Sequence, residues 1–212
     1  MMQAVIFDCD GVLIDSERLM TGVLHQSLKK FDLSLSEHDI DDRIVGQTTE
    51  VFQSFLNERF GPKLSEAFYL EHNRAVQHAF EHELVLIDGI ESLLRSISLP
   101  KACASNSGTQ SLANKLKITK LSGFFDVVVA AQEVLNPKPE PDVYLKAAEL
   151  LKVHPNHCWV VEDSPIGMMA AKKAKMNVIG FHHDQSVKQY GAHVVLSQMS
   201  QIEQFLKEQS RD

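Results

Sequence analysis

Residues 4–17 read AVIFDCDGVLIDSE. Ala4–Phe7 is a continuous apolar run with two β-branched residues at its centre. A run that does not alternate with polar residues predicts a strand buried on both faces. It is followed at once by Asp8-Cys9-Asp10-Gly11, an acidic turn. Similar short runs recur at Lys101–Ala104, Val127–Ala130, Cys158–Val161 and Val178–Phe181, with a weaker one at His193–Leu196. Helical patterns separate most of them. Ile90, Leu93, Leu94 and Ile97 share one helix face, with Asp88 and Glu91 as its expected capping pair. Val143, Ala147, Leu150 and Leu151 form a second such face. Ser164 and Pro165 read as N-cap and first helical residue of a third, carrying Ile166, Met169, Ala170 and Lys173. Ile202, Phe205 and Leu206 suggest a C-terminal helix. Buried strands alternating with helices give an α/β fold: a doubly wound, Rossmann-like parallel sheet covered on both faces.

One stretch breaks the rhythm. Between about Ser16 and Leu84 three helical stripes follow one another: Met20, Leu24, Leu28, Phe31; then Val51, Phe52, Phe55, Leu56; then Phe68, Ala75, Val76, Ala79, Phe80. This predicts a small helical module inserted after the first strand. The expected division is residues 1–15 and 85–212 for the α/β core and 16–84 for the helical cap. A chain of 212 residues is long enough for both.

Composition narrows the function. With 44% apolar residues the chain can bury a core, and a formal charge of −7 without a Lys/Arg run argues against a nucleic-acid partner. The N-terminus has no basic, apolar leader, and no apolar stretch reaches the roughly 20 residues of a membrane span. The three cysteines, Cys9, Cys103 and Cys158, are expected to be reduced thiols in a cytoplasmic protein. No CxxC or HExxH spacing suggests zinc. A monomer is the default expectation.

In an open α/β sheet, ligands gather at the C-terminal ends of the strands. There the sequence puts Asp8 and Asp10, then Ser105-Asn106-Ser107, then Lys138 in a Pro-rich turn, then Glu162-Asp163-Ser164. Each alone reads as a solvated turn or an N-cap. Together they suit phosphoryl transfer. Asp8, Asp163 and Glu162 can hold a hard divalent cation, and Mg2+ favours few carboxylates plus waters and a phosphate. Lys138 supplies fixed positive charge. Ser105 and the amides of its loop can donate to phosphate oxygens.

The chain resembles the haloacid dehalogenase superfamily of phosphohydrolases. FDCDGVLIDSE (Phe7–Glu17), Ser105-Asn106, NPKPEPDVY around Lys138 and VVEDSPIG (Val160–Gly167) match its four motifs in order. The inserted helices resemble the cap of the β-phosphoglucomutase-like subgroup, and the chain looks most similar there to sugar-phosphate and 6-phosphogluconate phosphatases. The resemblance implies a magnesium-dependent enzyme acting on a small phosphorylated metabolite. Asp8 is then the nucleophile that forms an aspartyl-phosphate, and Asp10 the general acid and base. Ser105, Asn106 and Lys138 bind the phosphoryl group. Asp8, Asp163, the backbone carbonyl of Asp10 and Glu162, directly or at one remove, hold the metal.

Two other readings stand beside phosphatase. A mutase must grip a second phosphate, for which that subgroup uses a cap arginine in Gly-x-x-Arg; here the stretch is Gly46-Gln47-Thr48-Thr49, and Met20 stands where the mutase has histidine. Arg43 and Lys63 lie in the cap as partial substitutes. A catalytically silent binding protein is the other, disfavoured by so costly a cluster of carboxylates. Arg43, Gln47, Thr48 and Thr49 are the expected specificity residues and suggest a hydroxylated substrate. His72, His78 and His82 are expected on a polar cap face, His182-His183 in a solvated loop, and Trp159 in core packing.

Overall fold

The computed structural model describes residues 2–36, 39, 48–61 and 64–209. Arg43, Gln47 and Lys63 lie outside them. A six-stranded parallel sheet is formed by β1 (Ala4–Phe7), β4 (Lys101–Ser105), β5 (Val127–Ala130), β6 (Cys158–Glu162), β7 (Asn177–Phe181) and β8 (Val194–Leu196), in the order β5-β4-β1-β6-β7-β8. Every predicted strand is present, to within a residue at its ends. β1 lies between β4 and β6, with Phe7 opposite Cys103 and Val161. Its alternating side chains feed two different cores: Val5 and Phe7 pack on one face, Ala4 and Ile6 on the other. The first face is closed by α4 (Ile90–Ser96), α5 (Thr109–Ile118) and α8 (Met199–Gln209), the second by α6 (Asp142–Leu151) and α7 (Pro165–Lys173).

Among the described residues, the long inserted helices are α1 (Glu17–Lys30), α2 (Thr49–Phe60) and α3 (Glu66–Glu83). They have a core of their own, built from Leu24, Leu28, Phe55, Leu56 and Phe68. The chain leaves the sheet and returns to it through two strands too short for any periodicity to reveal. β2 (Ile14–Asp15) and β3 (Val85–Leu86) pair antiparallel, Asp15 opposite Val85. Among the described residues no helix is long and apolar enough to cross a membrane.

Two sequence expectations are corrected. Asp88 and Glu91 do not cap α4. The N-cap is Gly89, left-handed at φ 80 with no side-chain cap, which puts Asp88 one residue too early. Glu91 instead meets Arg95 one turn on, at 2.6 Å. His72 is not on a polar face. It is 3% exposed, stacks on Phe68 at an interplanar angle of 3°, and has Nδ1 3.1 Å from Ser27 Oγ. His78 and His82 do lie side by side, with stacked rings. Lys175 takes the left-handed conformation, at φ 59.

The burial of His72 has a measurable consequence. Burial pushes its pKa down from 6.5 to about 4. The folded protein therefore keeps the ring neutral where the unfolded chain already binds a proton. Stability from this residue is full above pH 6.5 and falls as pH drops from 6.5 towards 4, by up to about 3 kcal/mol. Urea unfolding across that window should show the slope, and a His72→Gln variant should flatten it; an unchanged slope would mean that other groups carry it.

Candidate active site

β1 ends at Phe7, so Asp8 emerges at the C-terminal edge of the middle of the sheet. Asp8 is 6% exposed. Its Oδ1 accepts from Lys138 Nζ at 2.5 Å, and the same ammonium donates to Glu162 Oε1 at 2.7 Å. Tyr144, on α6, donates its hydroxyl to that Oε1 at 3.0 Å, and its ring lies under the ammonium, 4.7 Å from centroid to Nζ. Burial alone would lower the pKa of Lys138, but Asp8 and Glu162 outweigh it and hold the amine charged well above the ordinary lysine value. Burial pushes Asp8 up to about 7, helped by Glu162 and Asp10 and opposed by Lys138.

The side chain of Asn106 has a structural part of its own. Its amide clamps the peptide of Lys138: Oδ1 accepts from Lys138 N at 2.9 Å and Nδ2 donates to Lys138 O at 3.1 Å. Neighbouring Ser105 is 2% exposed, and its Oγ accepts from Ser107 N at 3.0 Å. Glu162 is engaged at both oxygens. With Oε1 taken by Lys138 and Tyr144, its Oε2 accepts from Ser164 N at 2.8 Å and Ser164 Oγ at 2.9 Å. A Cβ on Gly167 would fall 1.6 Å from Oε1, so only glycine leaves room for this carboxylate. All of its strong acceptor positions are engaged, which makes it the holder of Lys138, in line with the expected alternative of a part at one remove from the metal. Ser164 is the N-cap of α7 as predicted, accepting from Gly167 N at 3.1 Å.

Asp10 sits in a second cluster. Oδ1 accepts from Ser16 Oγ and, at 2.5 Å, from Lys115 Nζ; Oδ2 accepts from Ser107 Oγ at 2.8 Å. Lys115 is 5% exposed. Burial would raise the pKa of Asp10, but the charge of Lys115 and the donated hydrogen bonds win, and the carboxyl is held below its usual value. Sequence reasoning missed Lys115. The signal was there: it lies between Leu112 and Leu116 on the apolar stripe of α5, where a lysine needs a buried partner.

Asp163 is brought against the nucleophile turn. Gly11 has φ +81, and a Cβ there would stand 2.0 Å from Asp163 Oδ2, so the glycine is what lets the two loops touch. Asp8 and Asp163 thus bring two carboxylates to the rim that Asp10 also lines. Among the described residues no cluster of three or more His, Cys, Asp or Glu side chains is poised for a metal. Magnesium does not require one, because it keeps several waters and takes phosphate oxygens as ligands. The chemistry of these donors fits it.

The rim faces a cavity of about 370 Å³, walled on the far side by α1, α2 and α3. Thr48 lines it and also caps α2 by accepting from Val51 N. The rest of the wall was not foreseen: Met20, Phe52, Tyr69, Val76 and Phe80 reach into the same space, with His72 among them.

The family model for haloacid dehalogenase-like hydrolases matches residues 5–181. A probable pseudouridine-5'-phosphatase of Drosophila melanogaster is 32% identical over 82% of this chain and 79% of its own. The 6-phosphogluconate phosphatase of Escherichia coli is 28% identical, over 86% and 84%. The crystal structure of a putative beta-phosphoglucomutase from Thermotoga maritima superposes with a TM-score of 0.81 at 30% identity, covering 98% of this chain and 99% of that one. A parallel sheet carrying four motif segments on one rim, a matching family model and phosphatases among the relatives agree: the chain belongs to the haloacid dehalogenase-like hydrolases and is a phosphoric monoester hydrolase of that family.

Proposed function

We propose that the protein is a magnesium-dependent phosphatase that hydrolyses a small phosphorylated metabolite through an aspartyl-phosphate on Asp8. The observation that carries this reading is the buried ammonium of Lys138, bound to Asp8 at 2.5 Å at the floor of an open cavity. A permanently charged amine next to a carboxylate nucleophile is what a phosphoryl group needs for both binding and transfer. At about 4 Å and an effective dielectric near 20, a unit charge pair interacts by roughly 4 kcal/mol before desolvation.

Asp8 attacks phosphorus, and the bond to the leaving oxygen breaks as Asp10 gives that oxygen a proton. Water then attacks the phosphoenzyme, and Asp10 takes a proton from it, releasing phosphate and restoring Asp8. Lys115, Ser16 and Ser107 aim the Asp10 carboxyl between these two events; the lowered pKa suits the base role, so the proton for the first step has to enter with the substrate, as the monoanion of its phosphate. Asp8, Asp163 and the Asp10 carbonyl would hold magnesium, whose charge would favour the ionised form of Asp8 and offset that of the phosphate. Lys138 and the Ser105 loop hold the phosphoryl oxygens. Residues 16–84 serve as a cap attached through the β2–β3 ribbon.

Hydrolysis is favoured over mutation of the phosphate's position because none of the described cap residues lining the cavity is charged. His72 does not supply the missing cation, since burial keeps it neutral down to about pH 4. A mutase needs a cation there for its second phosphate.

The test is phosphate release from a panel of esters, p-nitrophenyl phosphate included, with and without magnesium and against an Asp8→Asn control. No turnover above that control on any ester would overturn the proposal. Asp10→Asn is expected to lower kcat by about 10²–10⁴ while leaving magnesium affinity nearly intact, since its side chain moves protons and its carbonyl is unchanged. Loss of magnesium binding by calorimetry would contradict that division of roles.

A further inference from the structure

Three cap helices meet at one imidazole. His72, on α3, is 3% exposed. Phe68, one turn earlier on α3, stacks on its ring at 5.8 Å, and Phe52 of α2 lies against it at 5.7 Å, tilted by 33°. Ser27 of α1, itself buried, holds Nδ1 at 3.1 Å. Two rings and a hydroxyl thus fix the position and the plane of the imidazole before any ligand arrives.

The other nitrogen is left over. Nε2 has no hydrogen-bond partner among the described residues, and it is not sealed from solvent, because the ring lines the cavity. An imidazole that served packing alone would leave this atom unmet where an apolar ring of similar shape has none to satisfy. Burial keeps the ring neutral, so at neutral pH Nε2 offers one hydrogen bond and no charge. Whether it donates or accepts depends on the tautomer that Ser27 selects. A hydroxyl suits either, since it can do both.

His72 and the reacting rim share one cavity, with Asp8 and Lys138 on the core side and His72 on the cap side. A phosphoryl group seated at Lys138 turns its leaving group towards α1, α2 and α3. Thr21, Thr48, Gln53 and Asn73 line the same space, so a hydroxylated leaving group finds several partners there. They differ in how firmly they are held. Gln53 and Asn73 are exposed side chains that lose rotamer freedom on contact. The Thr48 hydroxyl already accepts from Val51 N. His72 is fixed in advance. Its hydrogen bond forms without ordering the side chain, and a ligand that lacks the matching group leaves a buried nitrogen unmet.

We infer that His72 is a specificity-determining residue whose Nε2 reads a hydroxyl of the leaving group. This rests on the phosphatase reading above and adds a reader on α3, apart from Arg43, Gln47, Thr48 and Thr49.

The test compares ribose 5-phosphate and glucose 6-phosphate with phenyl phosphate, whose leaving group has no polar atom beyond the ester oxygen. An Asn side chain carries its polar atoms about as far out as Nδ1, and a Gln side chain about as far as Nε2. His72→Asn should therefore keep the bond to Ser27 and lose the reader. The kcat/KM of the better sugar phosphate should fall about tenfold or more, while that of phenyl phosphate stays within about twofold. His72→Gln should restore most of the loss. Ser27→Ala leaves the ring in place but frees it, and should lower the sugar-to-phenyl ratio by about threefold or more; it carries the test should His72→Asn not fold. A ratio that neither His72→Asn nor Ser27→Ala moves, an equal fall on all esters, or a Gln variant no better than the Asn variant would overturn the inference. So would turnover of phenyl phosphate with neither sugar phosphate hydrolysed, an outcome that leaves the phosphatase reading standing. If no ester is hydrolysed, that reading falls, and calorimetry with the same three esters and magnesium decides for His72: the inference stands on a selective loss of sugar-phosphate binding in His72→Asn and falls without it.

Discussion

Asp8→Asn is expected to lower kcat by about 10⁴ or more with every substrate while leaving thermal stability unchanged or raised. The activity loss follows from chemistry: an amide oxygen is no nucleophile at phosphorus, and removing the attacking group of a cooperating set typically costs that much or more. The stability expectation follows from the surroundings. Burial, Glu162 and Asp10 all push the Asp8 pKa up, to about 7, so its ionised form is disfavoured by everything near it except Lys138. Lys138 keeps Glu162 at 2.7 Å when Asp8 becomes neutral, so no buried charge is stranded. Steady-state kinetics, mass spectrometry of the acid-quenched protein and a thermal melt decide the matter together. A phosphorylated adduct on the variant, or activity within about tenfold of wild type, would remove Asp8 from its role.

Lys138→Met should do what Asp8→Asn does not and damage both activity and fold. The ammonium, with a side chain 3% exposed, is shared by two carboxylates whose own side chains are 9% and 1% exposed. Deleting it leaves like charges facing each other without water. Breaking a buried pair from one side costs about 3–5 kcal/mol, or roughly 6–20 °C in Tm for a chain of this size. Activity should fall by about 10³ as well, from loss of the phosphate's fixed charge. The deficit in stability should shrink as pH falls below about 7, because protonating Asp8 removes part of the stranded charge. Adding Glu162→Gln should recover part of the Tm and none of the activity. A single variant as stable as wild type would show that the ion pair contributes nothing to the fold.

The sheet was legible because its strands are continuous apolar runs and each is followed by chemistry. AVIF then Asp8, and CWVV then Glu162, announce both the strand and the rim it points to. What escaped is what depends on three-dimensional pairing. Lys115 is one lysine among 21 lysines and arginines until α5 turns it towards Asp10. Glu162 reads only as an acidic residue near the metal, directly or at one remove; its hold on Lys138 shows once Gly167 makes room for it and Ser164 and Tyr144 engage it. Two-residue strands carry no period, so β2 and β3 were invisible. The cap's aromatic residues were legible only as helical stripes; which of them close the cap core and which face the cavity is decided by how three helices pack. Phe68 went one way and Phe52 partly the other.

The central position of β1 has a consequence in time. Of the strands in this sheet, the one bearing the nucleophile is the first to leave the ribosome, yet it pairs only with β4 and β6. Asp163 follows Asp8 by about 155 residues, which at about 5–20 residues per second is roughly 8–30 s of synthesis. Through that interval the apolar run Ala4–Phe7 has no strand on one flank or on either, while the helical insert, encoded next, can already close on its own core. The emerging chain thus carries a finished cap on an unfinished enzyme, and its earliest strand depends on being shielded until its last neighbour arrives.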